Sequence, residues 1–366
     1  MSENYNMHIC IIADVIDNQN AGIHHYTKNL IESFLKIDNK NKYTFIHQRE
    51  NVFFKDTENY IIPSEKGFGK ETYRKFFKIP KLIKQLKPDI VLEPCHIGPF
   101  NIPKNIKRVT IIHDLTPIIF PNFHIKKSTI IHKLLLGKII KNANLIITPS
   151  ENTKRDILNL YKTSTEIEVI LQGVNPPNLE AKEPKETGLP QVKSPYILYL
   201  GTIEPRKNLD TLIDAFLELK KEYNLPHSLV LAGEIGWKIT ALLERIKKHE
   251  KEIILTRYVT EEQKASLYKN AEIFIYPSIY EGFGLPPLEA MSYGIPVICS
   301  TGGSLKEIFE NYALMFEPND KEILKKHILN LINNPEEKNS IIQKSQEYSK
   351  NFTWAKTAEK LLESLS

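Results

Sequence analysis

Short apolar runs alternate along this chain with longer stretches whose apolar residues recur every three to four positions. His8–Val15, Tyr43–His47, Asp89–Cys95, Arg108–Asp114 and Asn144–Ser150 are near-continuous apolar runs and predict strands covered on both faces. The segments Ile23–Lys36, Lys70–Leu86 (interrupted at Pro80), Lys127–Asn142 and Glu151–Tyr161 have helical spacing, and Val169–Val174 suggests one further strand. Strand–helix alternation of this kind is the sign of a doubly wound parallel sheet.

The pattern then stops. Between Asn175 and Pro195 the chain places Pro176, Pro177, Pro184, Pro190 and Pro195 among Glu180, Glu183 and Glu186 with almost no periodicity, which predicts a linker over 176–195. It restarts with strands expected at Tyr196–Gly201, Ser228–Gly233, Ile253–Val259, Ile273–Pro277, Pro296–Ser300 and Ala313–Phe316. Helices are expected at Leu209–Tyr223, Lys238–His249, Glu261–Asn270, Pro287–Tyr293 and Lys321–Ile332, with a last helical segment at Phe352–Leu365. A length of 366 residues agrees with two domains, 1–175 and 196–351, each a doubly wound α/β unit. No solenoid-length repeat or low-complexity tract is present.

Composition narrows this picture without redirecting it. Charged and apolar fractions are those of a soluble globular protein, and no apolar run approaches the roughly 18 residues of a membrane span. Met1 to Asn6 is polar and carries no apolar signal segment, so a cytoplasmic protein is expected. Cys10, Cys95 and Cys299 lie in or at the ends of apolar runs, which argues for reduced, buried thiols. Residues 1–175 hold 25 Lys and Arg against 17 Asp and Glu, whereas the remainder holds 24 against 27. The basic excess of the first half suits an anionic surface or substrate and is too small for a nucleic-acid binder.

Four stretches carry candidate chemistry, each at the expected carboxyl end of a strand, where doubly wound sheets bind ligands. Asn18-Gln19-Asn20-Ala21-Gly22-Ile23 leads into a helix, and Gly22 would admit a ligand to its N-terminal amides; an ordinary strand-to-helix turn is the alternative. His113 of His113-Asp114 could bond a sugar hydroxyl or shuttle a proton, against a structural histidine beside a helix-capping Asp114. In Gly201-Thr202-Ile203-Glu204-Pro205-Arg206-Lys207-Asn208, Arg206 offers a bidentate fork and Lys207 a compact charge for a diphosphate; a solvated basic turn capped by Asn208 is the alternative. Finally, Ser278-Ile279-Tyr280-Glu281-Gly282-Phe283-Gly284-Leu285-Pro286-Pro287-Leu288-Glu289 predicts a glycine-containing loop entering a helix whose first turn carries two prolines. Free amides at such a start favour anions, while Glu281 and Glu289 can accept bonds from sugar hydroxyls; solvated loop and first-turn charges are the alternative. The chain has no Gly-x-x-x-x-Gly-Lys-Ser/Thr loop, Gly-x-Gly-x-x-Gly fingerprint or Gly-x-Ser-x-Gly elbow, so ATPase, dinucleotide and common hydrolase readings lose support. No His/Cys cluster has metal spacing, and a metal site is not indicated.

Tyr276-Pro277-Ser278, Glu281-Gly282-Phe283-Gly284-Leu285-Pro286, Glu289-Ala290-Met291 and Gly294-Ile295-Pro296-Val297 resemble the signature of the retaining glycosyltransferases of family 4. Gly201 to Leu209 and His113-Asp114-Leu115-Thr116-Pro117 resemble its mannosyltransferase-like members, and the match runs from Gly22 to Phe352-Thr353-Trp354. The resemblance implies the GT-B fold: two Rossmann-like domains facing a cleft, acceptor on the N-terminal one and nucleotide-sugar on the C-terminal one. It further implies that 352–366 forms a helix crossing back to the first domain. By the same resemblance Arg206 and Lys207 hold the donor diphosphate, and Glu289 the ribose hydroxyls. Glu281 and the amides of Gly282, Phe283, Gly284 and Leu285 face the transferred sugar and phosphate. His113 contacts a sugar hydroxyl, Gly22 lies near phosphate or acceptor, and the base sits near Arg257-Tyr258-Val259, where many relatives have glycine in place of Arg257.

The expected reaction moves a hexose, with mannose from GDP-mannose as first choice, to a glycan or lipid-linked glycan in cell-surface polysaccharide or lipopolysaccharide assembly. A UDP-sugar or rhamnosyl donor is the competing enzyme reading, and a catalytically silent nucleotide-sugar-binding subunit the competing class. No cofactor or metal is expected, because Arg206, Lys207 and a helix N-terminus can stabilise the leaving diphosphate. Lys66–Lys87 interleaves Lys70, Arg74, Lys75, Lys78, Lys81 and Lys84 with Phe68, Tyr73, Phe76 and Phe77. It is read either as a peripheral contact with the cytoplasmic face of the inner membrane or as a sheet-packing helix with a solvated basic face.

Overall fold

The computed structural model describes residues 5–18, 21–65, 67 and 69–366. They fall into two compact units. One comprises residues up to Ile119, Lys126–Gly173 and Trp354–Ser366; the other comprises Phe120–Ile125 and Val174–Thr353. Six residues of the first half thus cluster with the second unit, which the sequence pattern did not indicate.

The first unit contains β1 (His8–Ile12), β2 (Lys42–His47), β3 (Asn59–Ile61), β4 (Ile90–Glu93), β5 (Lys107–Ile111), β6 (Leu145–Thr148) and β7 (Glu166–Val169). They form one seven-stranded sheet in the order β3-β2-β1-β4-β5-β6-β7, with every pair parallel. Strand residues point alternately to opposite faces, and β1 shows why its run is apolar throughout. Ile9 and Ile11 pack with Tyr26, Leu30 and Phe34 of the helix Ala21–Ile37, while Cys10 and Ile12 pack with Ile79 and Ile83 on the other face. The terminal helix Trp354–Leu365 belongs to the first of these layers, where Ala358 and Leu361 are fully buried.

The second unit contains β8 (Tyr196–Leu200), β9 (Ser228–Ala232), β10 (Ile253–Arg257), β11 (Ile273–Tyr276), β12 (Val297–Ser300) and β13 (Leu314–Phe316). Its six parallel strands run in the order β10-β9-β8-β11-β12-β13, so the direction of winding switches between β8 and β11. In an open α/β sheet this switch leaves a crevice at the carboxyl ends of the two strands.

Several expected boundaries move for identifiable reasons. The run His8–Val15 is a strand only to Ile12, because Asp14–Asn18 is a short helix that buries Ile16 and points Asp14 at Arg74. The break in Lys70–Leu86 lies over Arg74–Lys78, which is π-helical, and Pro80 sits harmlessly in the first turn of the helix Ile79–Leu86. Strand β7 starts three residues before the expected Val169–Val174 and ends at Val169. The expected linker is not detached: Leu189 and Val192 join the core of the second unit. Strand β3, the helix Pro335–Ser349 and the helix Leu305–Phe309 were not anticipated. Cys10 and Cys299 are buried, Cys95 is partly covered, and all three are free thiols.

Candidate functional site

The loops after β8 and β11 meet at the switch point of the second unit. After β8 the chain must turn where β9 also ends, and glycine makes this possible: a Cβ on Gly233 would lie 2.0 Å from the Gly201 carbonyl oxygen. The turn continues through the 3-10 helix Pro205–Lys207 to Asn208, which is left-handed at φ 54°. Asn208 starts the helix Leu209–Tyr223 without a side-chain cap; its amide instead donates to Pro277 O at 3.2 Å and Pro318 O at 2.6 Å. The Ile279 amide donates to Arg206 O at 2.9 Å, so the basic turn and the loop after β11 are stitched together.

This stitching buries a charge cluster. The Glu281 carboxylate forms an ion pair with Arg206 Nη1 at 2.8 Å through one oxygen and accepts from Lys207 Nζ at 2.6 Å through the other. Arg206 also donates to Glu204 at 2.7 Å and to Tyr280 O at 2.7 Å, and Lys207 to the Tyr276 hydroxyl at 2.8 Å. Burial by itself would raise the Glu281 pKa, but the Arg206 guanidinium and the Lys207 ammonium hold it at about 2. Burial, followed by the neighbouring Arg206 charge, lowers the pKa of Lys207. Two cations and two carboxylates therefore offset one another in a site where unpaired charge is expensive.

The Gly282–Leu285 turn leads into the helix Leu285–Ser292. Gly284 takes φ 106°, and a Cβ there would meet Leu305 at 2.6 Å and Phe309 at 2.9 Å, so only glycine fits. The Phe283 side chain turns into the core at 4% exposure, leaving its backbone as its only polar offering. Four residues into the helix, Glu289 accepts from the Tyr268 hydroxyl at 2.9 Å and from Lys264 Nζ at 3.2 Å. Lys264 also pairs with Glu261, and Tyr268 stacks on Tyr293 with ring centroids 5.3 Å apart. At the end of β10, Arg257 takes φ 62°, a conformation that glycine adopts without strain; Tyr258 is exposed and Val259 half-buried.

His113 and Gly22 lie in the other unit. His113 has both ring nitrogens engaged: Nε2 with Pro94 O at 2.8 Å and Nδ1 with the Gln172 amide at 3.3 Å. The carbonyl partner fixes the proton on Nε2, and burial lowers the ring's pKa, which favours the neutral imidazole. Tyr26 packs edge-on against it, and Trp354 of the terminal helix against Tyr26. Asp114 accepts from the Thr116 amide and hydroxyl, as a helix-capping residue does. Gly22 is the second residue of the helix Ala21–Ile37, and a Cβ there would meet nothing within 4 Å, so packing does not require glycine. Gln19 and Asn20 of that loop, like Lys66 and Phe68, lie outside the described residues.

The structure thus gathers Arg206, Lys207 and Glu281 into one cluster and adds partners that the sequence reading missed. Tyr276 was detectable as the last residue of a strand entering the site. Lys264 and Tyr268 stand four apart on the helix Glu261–Asn270, and only the fold shows that both reach Glu289.

Two family descriptions match the chain: Glycosyltransferase Family 4 over residues 23–177 and Glycosyl transferases group 1 over residues 181–348. The O-antigen chain mannosyltransferase B of Escherichia coli is 33% identical over 70% of this chain and 70% of its own length. The O-antigen chain mannosyltransferase RfbU of Salmonella typhimurium is 30% identical over 60% of this chain and 59% of its own length. In architecture the chain is similar to Anabaena HepE, solved in complex with UDP-glucose, with a TM-score of 0.77, 15% identity and 98% and 99% of the two chains covered. Two parallel Rossmann-like sheets, the Glu281–Arg206–Lys207 cluster at a switch point and these likenesses agree, and the chain belongs to the family 4 glycosyltransferases of the GT-B fold.

Proposed function

We propose that this glycosyltransferase moves mannose from GDP-mannose, with retention of configuration and without a metal, onto a glycan or lipid-linked glycan of cell-surface polysaccharide assembly. The observation that carries the reading is the pairing of Arg206 and buried Lys207 at the β8–β11 switch point, which matches a departing diphosphate in charge. Likeness to two O-antigen mannosyltransferases supports mannose.

The chemistry follows from charge. As the diphosphate leaves, Arg206 and Lys207 take up its developing negative charge in a poorly hydrated site. Glu289 holds the ribose hydroxyls and Glu281 those of the sugar, leaving neither as a nucleophile of the kind a retaining glycosidase uses. The acceptor hydroxyl then attacks on the face from which the diphosphate departs, and a diphosphate oxygen takes its proton. His113 is the expected contact to a sugar hydroxyl, for which its Nδ1 would exchange the 3.3 Å bond from Gln172 while Nε2 stays on Pro94 O.

A lipid-linked acceptor would bring the protein to the cytoplasmic face of a membrane. Among the described residues, no helix is long and apolar enough to cross one. Contact would instead run through 66–87, where Tyr73 and Phe77 are 55% and 57% exposed with Lys70, Lys81 and Lys84 around them. Arg74 takes no part, being 1% exposed and bonded twice to Asp14. Co-sedimentation with anionic vesicles should fall when the exposed Lys70, Lys81 and Lys84 are reversed to Glu; unchanged binding would remove the membrane contact.

A thermal-shift screen over GDP, UDP and their sugars tests the donor, since a ligand of the folded state stabilises by mass action. GDP and GDP-mannose are expected to give the largest shifts. A larger response to UDP-sugars would replace the donor, and binding without turnover would make the chain a silent subunit. Retention is checked by NMR of the first-formed product, where an inverted anomer contradicts the mechanism.

A further inference from the structure

The reading above, on which this inference rests, gives Arg206 and Lys207 to the donor diphosphate and Glu281 to the donor sugar. In the structure, however, Glu281 bonds both cations, one through each carboxylate oxygen. We propose that Glu281 and the nucleotide diphosphate are alternative partners of Arg206 and Lys207, and that donor binding hands Glu281 over from the cations to the sugar hydroxyls.

The argument begins with counting charges. Arg206 and Lys207 are balanced by Glu281 and Glu204, and the side chains of all four are 11% exposed or less. A diphosphate adds at least two negative charges to this cluster. With Glu281 in place, three anionic groups would share two cations in a medium that screens them poorly. A sugar offers hydroxyl donors, which an ionised carboxylate accepts well. Glu281 therefore gains a new set of partners at the moment it loses the old one.

The backbone permits a local exchange. The Glu281 carbonyl accepts from the Ser304 amide at 3.0 Å and from the Ser304 hydroxyl at 3.0 Å, and Glu281 forms an isolated parallel bridge with Gly303. With the main chain held this way, only the side chain has to move. Beside the two cations the carboxyl group is held at about 2, so it is an anion throughout the neutral range when the donor arrives.

The exchange separates substrate from product. A sugar nucleotide supplies hydroxyls to the displaced carboxylate, whereas the free nucleoside diphosphate left after transfer does not. Glu281 then returns to Arg206 and Lys207 and speeds release of the product. Removing its charge should accordingly tighten binding of the free diphosphate while impairing transfer, whereas a purely supportive Glu281 would weaken both.

Isothermal titration of GDP and of UDP into the wild type, Glu281→Gln, Glu281→Asp and Lys207→Met tests this. Glu281→Gln should bind the preferred diphosphate about three-fold tighter or more, while sugar transfer falls. Glu281→Asp, whose shorter side chain reaches the cations less well, should show a smaller gain and serves if the first variant folds poorly. Equal or weaker binding by the glutamate variants, alongside lost binding in Lys207→Met, overturns the exchange and leaves the diphosphate site standing. Unchanged binding in Lys207→Met overturns the diphosphate site and the exchange with it.

Discussion

Lys264 and Tyr268 hold the two oxygens of Glu289 in one orientation, and this makes a residue-scale role for them testable. Lys264→Met should raise the donor KM about five-fold with little change in kcat, the size of one partly exposed charge-assisted bond. Lys264→Arg should restore most of it. An equal fall in kcat with no change in KM would place Lys264 elsewhere in the reaction. The buried Glu281 bears on stability as well. Its pKa lies at about 2 against an ordinary 4.5, so its contribution is full above the ordinary value and is lost as pH falls through the folded one. Acid unfolding is therefore expected to be less steep between about 4.5 and 2 in Glu281→Gln than in the wild type, as followed by circular dichroism. At this scale Arg206, Lys207, Glu281 and Glu289 were legible because each sits in a strand-end loop or the helix that follows one, a position local sequence reveals. Tyr276 was visible as the last residue of its strand, whereas Lys264 and Tyr268 were not, because their importance lies in what they touch after folding. The inward turn of Phe283 escaped for the same reason: nothing in Gly282-Phe283-Gly284 says which side of the loop faces the core.

The elements were legible where one physical signal dominated. Parallel strands buried on two faces leave continuous apolar runs, and the helices Glu151–Tyr161, Leu209–Tyr223 and Glu261–Asn270 keep the bounds their spacing predicted. Failures mark places where that signal is shared or absent. Val15 and Ile16 extend the apolar run of β1 but belong to a helix, and β3 is only three residues long. The π-helical turn at Arg74–Lys78 contains Arg74, whose partner Asp14 lies 60 residues away in sequence. The terminal helix shows how distant elements depend on each other. Leu361 is fully buried in the layer that also holds Tyr26, the residue packed edge-on against His113. Leu361→Ala should cost about 2–5 kcal/mol in urea unfolding. A loss within about 0.5 kcal/mol, the range of surface substitutions, would show that this helix does not stabilise the first unit.

At the scale of the whole molecule, two sheets of the same kind are built from different parts of the chain. The first recruits the C-terminal helix, and the second recruits Phe120–Ile125 from the first half. In the latter, Phe120 packs against Tyr280, and the Phe123 carbonyl accepts from the Trp237 indole at 2.5 Å. The break at 176–195 was visible as a change of composition, whereas the recruited segment was not, since Phe120-Pro121-Asn122-Phe123 reads as an ordinary loop. The central claim concerns the charges gathered at the β8–β11 switch point of the second unit, which are assigned the leaving diphosphate. The direct test is release of mannose from radiolabelled GDP-mannose by purified protein, with and without Lys207→Ala. Slow hydrolysis by the wild type, reduced at least about 100-fold by loss of the cation, is the expected result. Turnover unaffected by Lys207→Ala, or none with any sugar nucleotide, would contradict it.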